Sequence, residues 1–223
     1  MSYRVFLFDF DGTIANTMGP AYEILNDLAD QYGFRRLEPS EVEIARDMTT
    51  RELMRHLEVP MRRLPSLARR GSQALRSRIA EVEPIEGVPD AIRQLKAMGA
   101  ILAIVTSNSA ENVNAFLDRH DLNLFDHIRT SSRLFGKARD IRSIRKLGKF
   151  EKSEMLFVGD ETRDIEASRK AGIHSAAVLW GYNSRKALCS CDPEHVLEKP
   201  EDLPKMFTPR EEEQPRPGRR ADA

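Results

Sequence analysis

From about residue 88 to residue 180, short apolar runs of strand length alternate with helical patterns, and no other feature of this sequence restricts its fold so strongly. The runs Ala100-Ile-Leu-Ala-Ile-Val105, Met155-Leu-Phe-Val158 and Ser175-Ala-Ala-Val-Leu179 are nearly unbroken in apolar character, as expected of parallel strands covered on both faces. Between them, residues 88–98 place Ala91, Ile92, Leu95 and Met98 on one helical face, and residues 111–120, 141–147 and 165–171 repeat that periodicity. A similar strand, Tyr3-Arg-Val-Phe-Leu-Phe8, comes much earlier. The alternation predicts an α/β fold with a doubly wound, Rossmann-like parallel sheet.

The exception is the stretch 16–83, which shows helical patterns at 21–32, 40–46, 51–57 and 62–82 and no convincing strand. It reads as a helical insert, with Pro84 and Gly87 marking the return to the sheet. The expected division is therefore a core of residues 1–15 and 84–207 and an inserted helical domain of 16–83. Residues 208–223 contain no aliphatic side chain larger than alanine and are expected to form a disordered tail.

Composition narrows the class of function. Thirty-five basic residues balance 35 acidic ones, which argues against a nucleic-acid glove or a polybasic membrane anchor. Arg62, Arg63, Arg69, Arg70, Arg76 and Arg78 recur along one helical stretch, but no aromatic residue interleaves them for base stacking. No apolar run approaches the roughly 18 to 20 residues needed to cross a bilayer, and no secretory leader is expected. The two cysteines, Cys189 and Cys191, are separated by a single residue, too close for an ordinary disulfide. A cytoplasmic protein follows, monomeric by default with a homodimer as the alternative.

The chemistry gathers at strand ends. Asp9-Phe-Asp-Gly-Thr13 stands at the carboxyl end of the first strand, where open α/β sheets place their ligand sites. Residues two apart on an extended chain point the same way, so Asp9 and Asp11 could reach one centre. Such a like-charged pair is costly unless a cation relieves it, and hard oxygen ligands suit Mg²⁺. The second sheet run ends in Thr106-Ser-Asn108 and the third in Gly159-Asp-Glu-Thr-Arg-Asp164. Taken singly, Thr106, Ser107, Asp160 and Asp164 are also good helix-capping residues; together they put hydroxyl, amide and acidic groups on one edge.

These residues resemble the haloacid dehalogenase superfamily, in particular its phosphoglycolate phosphatase-like group with a helical cap. Asp9-Phe-Asp-Gly-Thr-Ile14 is similar to the family's first motif, Val105-Thr106 to its second, and Gly159-Asp-Glu-Thr-Arg-Asp164 to its fourth. The resemblance implies a magnesium-dependent phosphatase acting on a small phosphate ester, such as a phosphoglycolate-like compound or a sugar phosphate. Asp9 would be the nucleophile that becomes an aspartyl phosphate, and Asp11 the general acid and then base. Magnesium would be held by Asp9, Asp11 through its backbone carbonyl, and Asp160, with Asp164 a ligand through water or an orienting partner. Thr106 would bond the transferring phosphoryl group, with Thr13, Ser107 and Asn108 as further substrate-binding groups.

The third motif requires a lysine. Lys137 fits in order and placement, although Ala138 follows it where the relatives usually have proline, and Lys146 and Lys149 compete. Asn16 stands where relatives often have aspartate. A phosphomutase or pyrophosphatase would use the same core, and a non-catalytic binding module is the alternative outside enzymes. In the insert, Arg46, Thr49, Thr50 and Arg51 form a polar turn that reads equally as substrate contact or solvated loop. Trp180-Gly-Tyr182 is expected to pack.

Overall fold

The computed structural model describes residues 3–130 and 136–209. The expected tail lies outside the described residues from 210 onward, whereas the Thr208 backbone N–H donates to the Tyr3 carbonyl at 3.0 Å and so is tied to the fold.

The first strand, β1 (Val5–Phe8), leads into four helices, α1 (Met18–Tyr32), α2 (Val42–Arg46), α3 (Thr50–His56) and α4 (Leu64–Arg76). The alternation then runs α5 (Val88–Ala97), β2 (Ile101–Thr106), α6 (Ala110–Arg119), β3 (His127–Thr130), α7 (Lys137–Gly148), β4 (Met155–Gly159), α8 (Thr162–Ala171), β5 (His174–Val178), α9 (Arg185–Cys189) and β6 (His195–Leu197). Among the described residues the strands form one parallel sheet in the order β3-β2-β1-β4-β5-β6. This is the doubly wound α/β architecture read from the sequence.

The edge strands β3 and β6 were not expected. They are short, and their sequences His-Ile-Arg-Thr and His-Val-Leu lack a continuous apolar run. An edge strand pairs on one side only and tolerates such polar residues.

Alternation along β1 explains the layering. Phe6 and Phe8 join a core with Ile92 and Leu95 of α5 and Val113, Phe116 and Leu117 of α6. Val5 and Leu7 face the opposite layer, with Ile141 and Ile144 of α7 and Ala167 and Ala171 of α8. Because β1 lies between β2 and β4, with Phe8 level with Ile104 and Val158, the carboxyl ends of the three inner strands are adjacent. Chain direction across the sheet also reverses here, the place where such sheets bind ligands.

Helices α1–α4 lie within residues 16–83, which meet the sheet portion at a paired crossing. The Asn16 N–H donates to the Glu83 carbonyl at 2.9 Å, and Ile85 N–H to Ile14 at 2.9 Å. Ile24 and Leu28 of α1 and Leu64, Leu67 and Leu75 of α4 are buried in the same apolar cluster. The expected continuous stretch 62–82 is broken: α4 ends at Arg76, and a separate 3₁₀ turn spans Ile79–Glu81. At the break the Ser77 hydroxyl donates to the Ala74 carbonyl at 2.9 Å, a local bond of the kind that competes with helix continuation. Arg78 pairs with Glu23 and Asp27 of α1, and Arg70 lies over the Tyr32 ring. These contacts tie two of the arginine-row residues to the helices themselves. No described helix is long and apolar enough to cross a membrane.

Candidate active site

The chain curls directly after β1. The Phe10 carbonyl accepts from the N–H groups of Ile14 and Ala15 at 2.9 and 3.0 Å, so the segment does not stay extended past Phe10. Gly12 makes the turn possible: its φ is +74°, and a Cβ there would run into Asp160 and the Tyr182 ring. The side chains of Asp9 and Asp11 accordingly have different partners.

Asp9, Asp160 and Asp164 form a buried cluster with one carboxylate oxygen from each lying within 4.8 Å of the others. Asp9 Oδ1 accepts from the Phe10 N–H at 2.7 Å. Asp160 Oδ1 accepts from the Thr13 hydroxyl at 2.6 Å and Oδ2 from the Tyr182 N–H at 2.8 Å. Asp164 Oδ2 accepts from the Glu161 N–H at 3.2 Å, half of the capping box that starts α8.

Lys137, the first residue of α7, is 3% exposed. Its Nζ pairs with Asp9 Oδ2 and lies 2.6 Å from Asp164 Oδ1. Lys146 and Lys149, the competing lysines, are exposed. One ammonium among three buried carboxylates leaves the cluster short of positive charge. Burial and the charge of Asp9 push Asp160 well above the ordinary carboxylate range. Burial also raises Asp164, against the opposing pull of Lys137. A compact set of hard oxygen donors with surplus negative charge fits a small divalent cation.

Asp11 is held from another direction. Asn108 Nδ2 donates to both of its carboxylate oxygens at 3.0 Å. Asn108 Oδ1 in turn accepts from the Ser72 hydroxyl of α4 at 3.0 Å and from Asn112 Nδ2 at 2.8 Å, and Asn112 Nδ2 also donates to the Ser72 carbonyl at 2.9 Å. Burial, reinforced by the negative charge of Asp9, pushes the Asp11 pKa up to about 6 even though Asn108 favours the charged form.

The remaining predicted residues sort themselves by contact. Thr106 ends β2, and its hydroxyl accepts from the Asn108 N–H at 3.0 Å. Thr13 reaches Asp160, as described above, and Ser107 borders the cavity next to Asp11. The cap of α6 is Ser109, whose hydroxyl accepts from Asn112 N–H at 3.2 Å, so neither Thr106 nor Ser107 fills that role. Arg46 donates to the Tyr182 and Gly181 carbonyls.

The sequence reading passed over Asn183 and Ser72, gave Arg163 no role of its own within the fourth motif, and took Tyr182 only as packing. Trp180-Gly-Tyr182 does pack, through Trp180 Nε1 to the Thr13 carbonyl at 3.1 Å. It also builds the site, since Tyr182 N–H reaches Asp160 and the Tyr182 hydroxyl lies 2.9 Å from the Thr17 hydroxyl. Its position just after β5, on the same sheet edge as the other motifs, was the available signal. Asn183 Nδ2 donates to the carbonyls of Arg46 and Met48, joining that turn to the α2–α3 connection. Ser72 lies in the helical segment, where no strand-end rule applies.

A cavity of about 280 Å³ opens from Asp11, Ser107 and Asn108 into the helical segment, where Ile24, Leu28, Met54, Leu67 and Leu75 contribute to its wall.

Comparison with known proteins places the chain in a family. Residues 6–178 match the family model of haloacid dehalogenase-like hydrolases. The chain is 30% identical over 206 residues to a phosphoglycolate phosphatase of Synechococcus elongatus, covering 92% of this chain and 97% of that one. It is 27% identical over 209 residues to a phosphoglycolate phosphatase of Aquifex aeolicus, covering 92% and 96%. Among solved structures, a haloacid dehalogenase-like hydrolase from Streptococcus pneumoniae superimposes with a TM-score of 0.75 at 17% identity, covering 92% of this chain and 99% of that one. CbbY from Rhodobacter sphaeroides, solved with phosphate, gives 0.68 at 19%, covering 90% and 96%. The chain belongs to the haloacid dehalogenase-like hydrolase family, as a phosphatase.

Proposed function

We propose that this protein is a magnesium-dependent phosphomonoesterase that works through an aspartyl phosphate on Asp9, with residues 16–83 acting as a cap over the site. The observation that carries the reading is the difference in partners between the two motif aspartates. Asp9 joins Asp160, Asp164 and Lys137 in a buried charged cluster, while Asp11 borders the cavity with a pKa near 6. Asp9, the backbone carbonyl of Asp11 and Asp160 would hold Mg²⁺, with Asp164 orienting the group. The ion would supply positive charge against the phosphoryl oxygens when bound.

In this account an Asp9 carboxylate oxygen attacks phosphorus, and the ester oxygen leaves with the proton of Asp11. The bond from phosphorus to the leaving oxygen breaks as the bond to Asp9 forms. Asp11, now a carboxylate, takes a proton from water, whose oxygen attacks phosphorus and releases phosphate and free Asp9. A pKa near 6 suits a group that must give a proton and then take one. Lys137 offsets charge on the nucleophile and the phosphoryl oxygens, while Thr106 and Ser107 offer donors to those oxygens. Thr13 positions Asp160, and Asn108 holds Asp11. Closure of the helical segment would exclude water from the phosphoryl group.

The reading is tested by phosphate release from a panel of phosphate esters, with Mg²⁺ and after chelation, by the parent and by Asp9→Asn. Metal-dependent release by the parent alone is the expected result. Isomeric phosphate esters in place of free phosphate would point instead to a mutase.

A further inference from the structure

From the wall of the cavity above Asp11 we infer that the leaving group of the substrate is uncharged and largely apolar, an alkyl-like or aryl-like alcohol rather than a second anion; this rests on the phosphatase reading and on Asp11 meeting the leaving oxygen. The cavity starts at Asp11, so whatever is esterified to the phosphoryl group at Asp9 must extend into it. Every cavity-lining residue from the helical segment is uncharged, and most are aliphatic or aromatic, with Thr17, Thr50 and Ser72 as the hydroxyl-bearing exceptions. The charged lining residues are Asp11, Glu161 and Arg163. Arg163 pairs with Glu161, so its charge is already partnered.

Glu161 is offset by the same pair and Asp11 carries its proton when it meets the leaving oxygen, so the discrimination comes from the walls: a carboxylate or second phosphate in this space would be desolvated against aliphatic side chains. The volume of about 280 Å³ lies just below the usual range of about 300–1,000 Å³ for small-molecule sites. A second space of similar size, lined mostly by apolar side chains such as Leu37, Val42 and Leu53 but also by Arg46 and Glu161, shares Leu25, Met54 and Tyr182 with the first. Gly71 of α4 borders the first cavity, and a Cβ there would meet only Ile24, at 3.9 Å. The wall is therefore bare at that point.

The test compares kcat/KM for methyl phosphate, 3-methylbutyl phosphate and phosphoglycolate with Mg²⁺, alongside the Gly71→Leu variant. The structure predicts that 3-methylbutyl phosphate exceeds phosphoglycolate at least tenfold in the parent. In Gly71→Leu the ratio of 3-methylbutyl to methyl phosphate should fall at least fivefold. Asp9-dependent turnover that favours phosphoglycolate would overturn the inference and leave the phosphatase reading standing. Turnover of none of the three, with Asp9-dependent phosphate release from a sugar phosphate, would overturn the inference alone; no metal-dependent release from any ester of the wider panel would overturn both. Should Gly71→Leu fail to fold, the parent ratio decides alone.

Discussion

Asn108 holds both carboxylate oxygens of Asp11 through a single Nδ2 at 3.0 Å, and its Oδ1 accepts from Ser72 on a helix of the inserted segment. The amide thus joins the helical segment to the acid that borders the cavity. Removing it in Asn108→Ala takes away a donor that favours the charged form, so the Asp11 pKa should rise from its value near 6 by about one unit. The alkaline limb of kcat/KM against pH should move upward with it, and kcat should fall about 10- to 100-fold. An unmoved pH profile would show that Asn108 does not act on Asp11.

Lys137 stands between Asp9 and Asp164 in a buried site. In Lys137→Met those carboxylates keep their burial and lose their counter-charge, a loss of roughly 3–5 kcal/mol for a buried pair. Protonation at low pH relieves part of it, so the deficit measured by urea unfolding should be larger at pH 8 than at pH 5. Equal deficits at both values would contradict the charge argument.

The acidic cluster also sets a pH dependence for the metal-free parent. Burial raises Asp11, Asp160 and Asp164 above the ordinary carboxylate range in the folded chain. Between the unfolded and folded values the folded chain binds more protons, so the stability these groups contribute is present below about pH 4 and lost as pH rises through the folded values. With EDTA, their contribution to the urea midpoint should decline from pH 4 to pH 8, and the decline should shrink in an Asp160→Asn variant. Mg²⁺ should raise the midpoint more at pH 8 than at pH 5, because the ion competes with those protons.

Gly71 lies inside α4 with open space around its missing side chain. Gly71→Ala should stabilise the protein by about 0.5–1 kcal/mol, read as a higher thermal midpoint. A lower midpoint would mean that the space beside Ile24 is not open.

The sheet core was legible in the sequence because its inner strands are buried on both faces and read as unbroken apolar runs. The edge strands were hidden, since His127 and Arg129 in β3 and His195 in β6 break that pattern. Asp9, Asp160, Asp164 and Lys137 could be read from strand ends and motif order. The side-chain partners of Asp11 could not, because they depend on the curl after Phe10 and on Asn108. Ser72 and the apolar wall were equally out of reach: they arise where α1, α3 and α4 converge on the sheet edge, a long-range contact that local patterning does not encode.

The central claim is that Asp9 carries the phosphoryl group. Acid-quenching the parent during turnover and weighing the intact protein tests it directly, with Asp9→Asn treated in parallel. The account predicts one phosphoryl group on the parent, located by peptide fragmentation at Asp9, and none on the variant. Phosphate release by Asp9→Asn at the parent rate, with no phosphorylated protein in either sample, would contradict it.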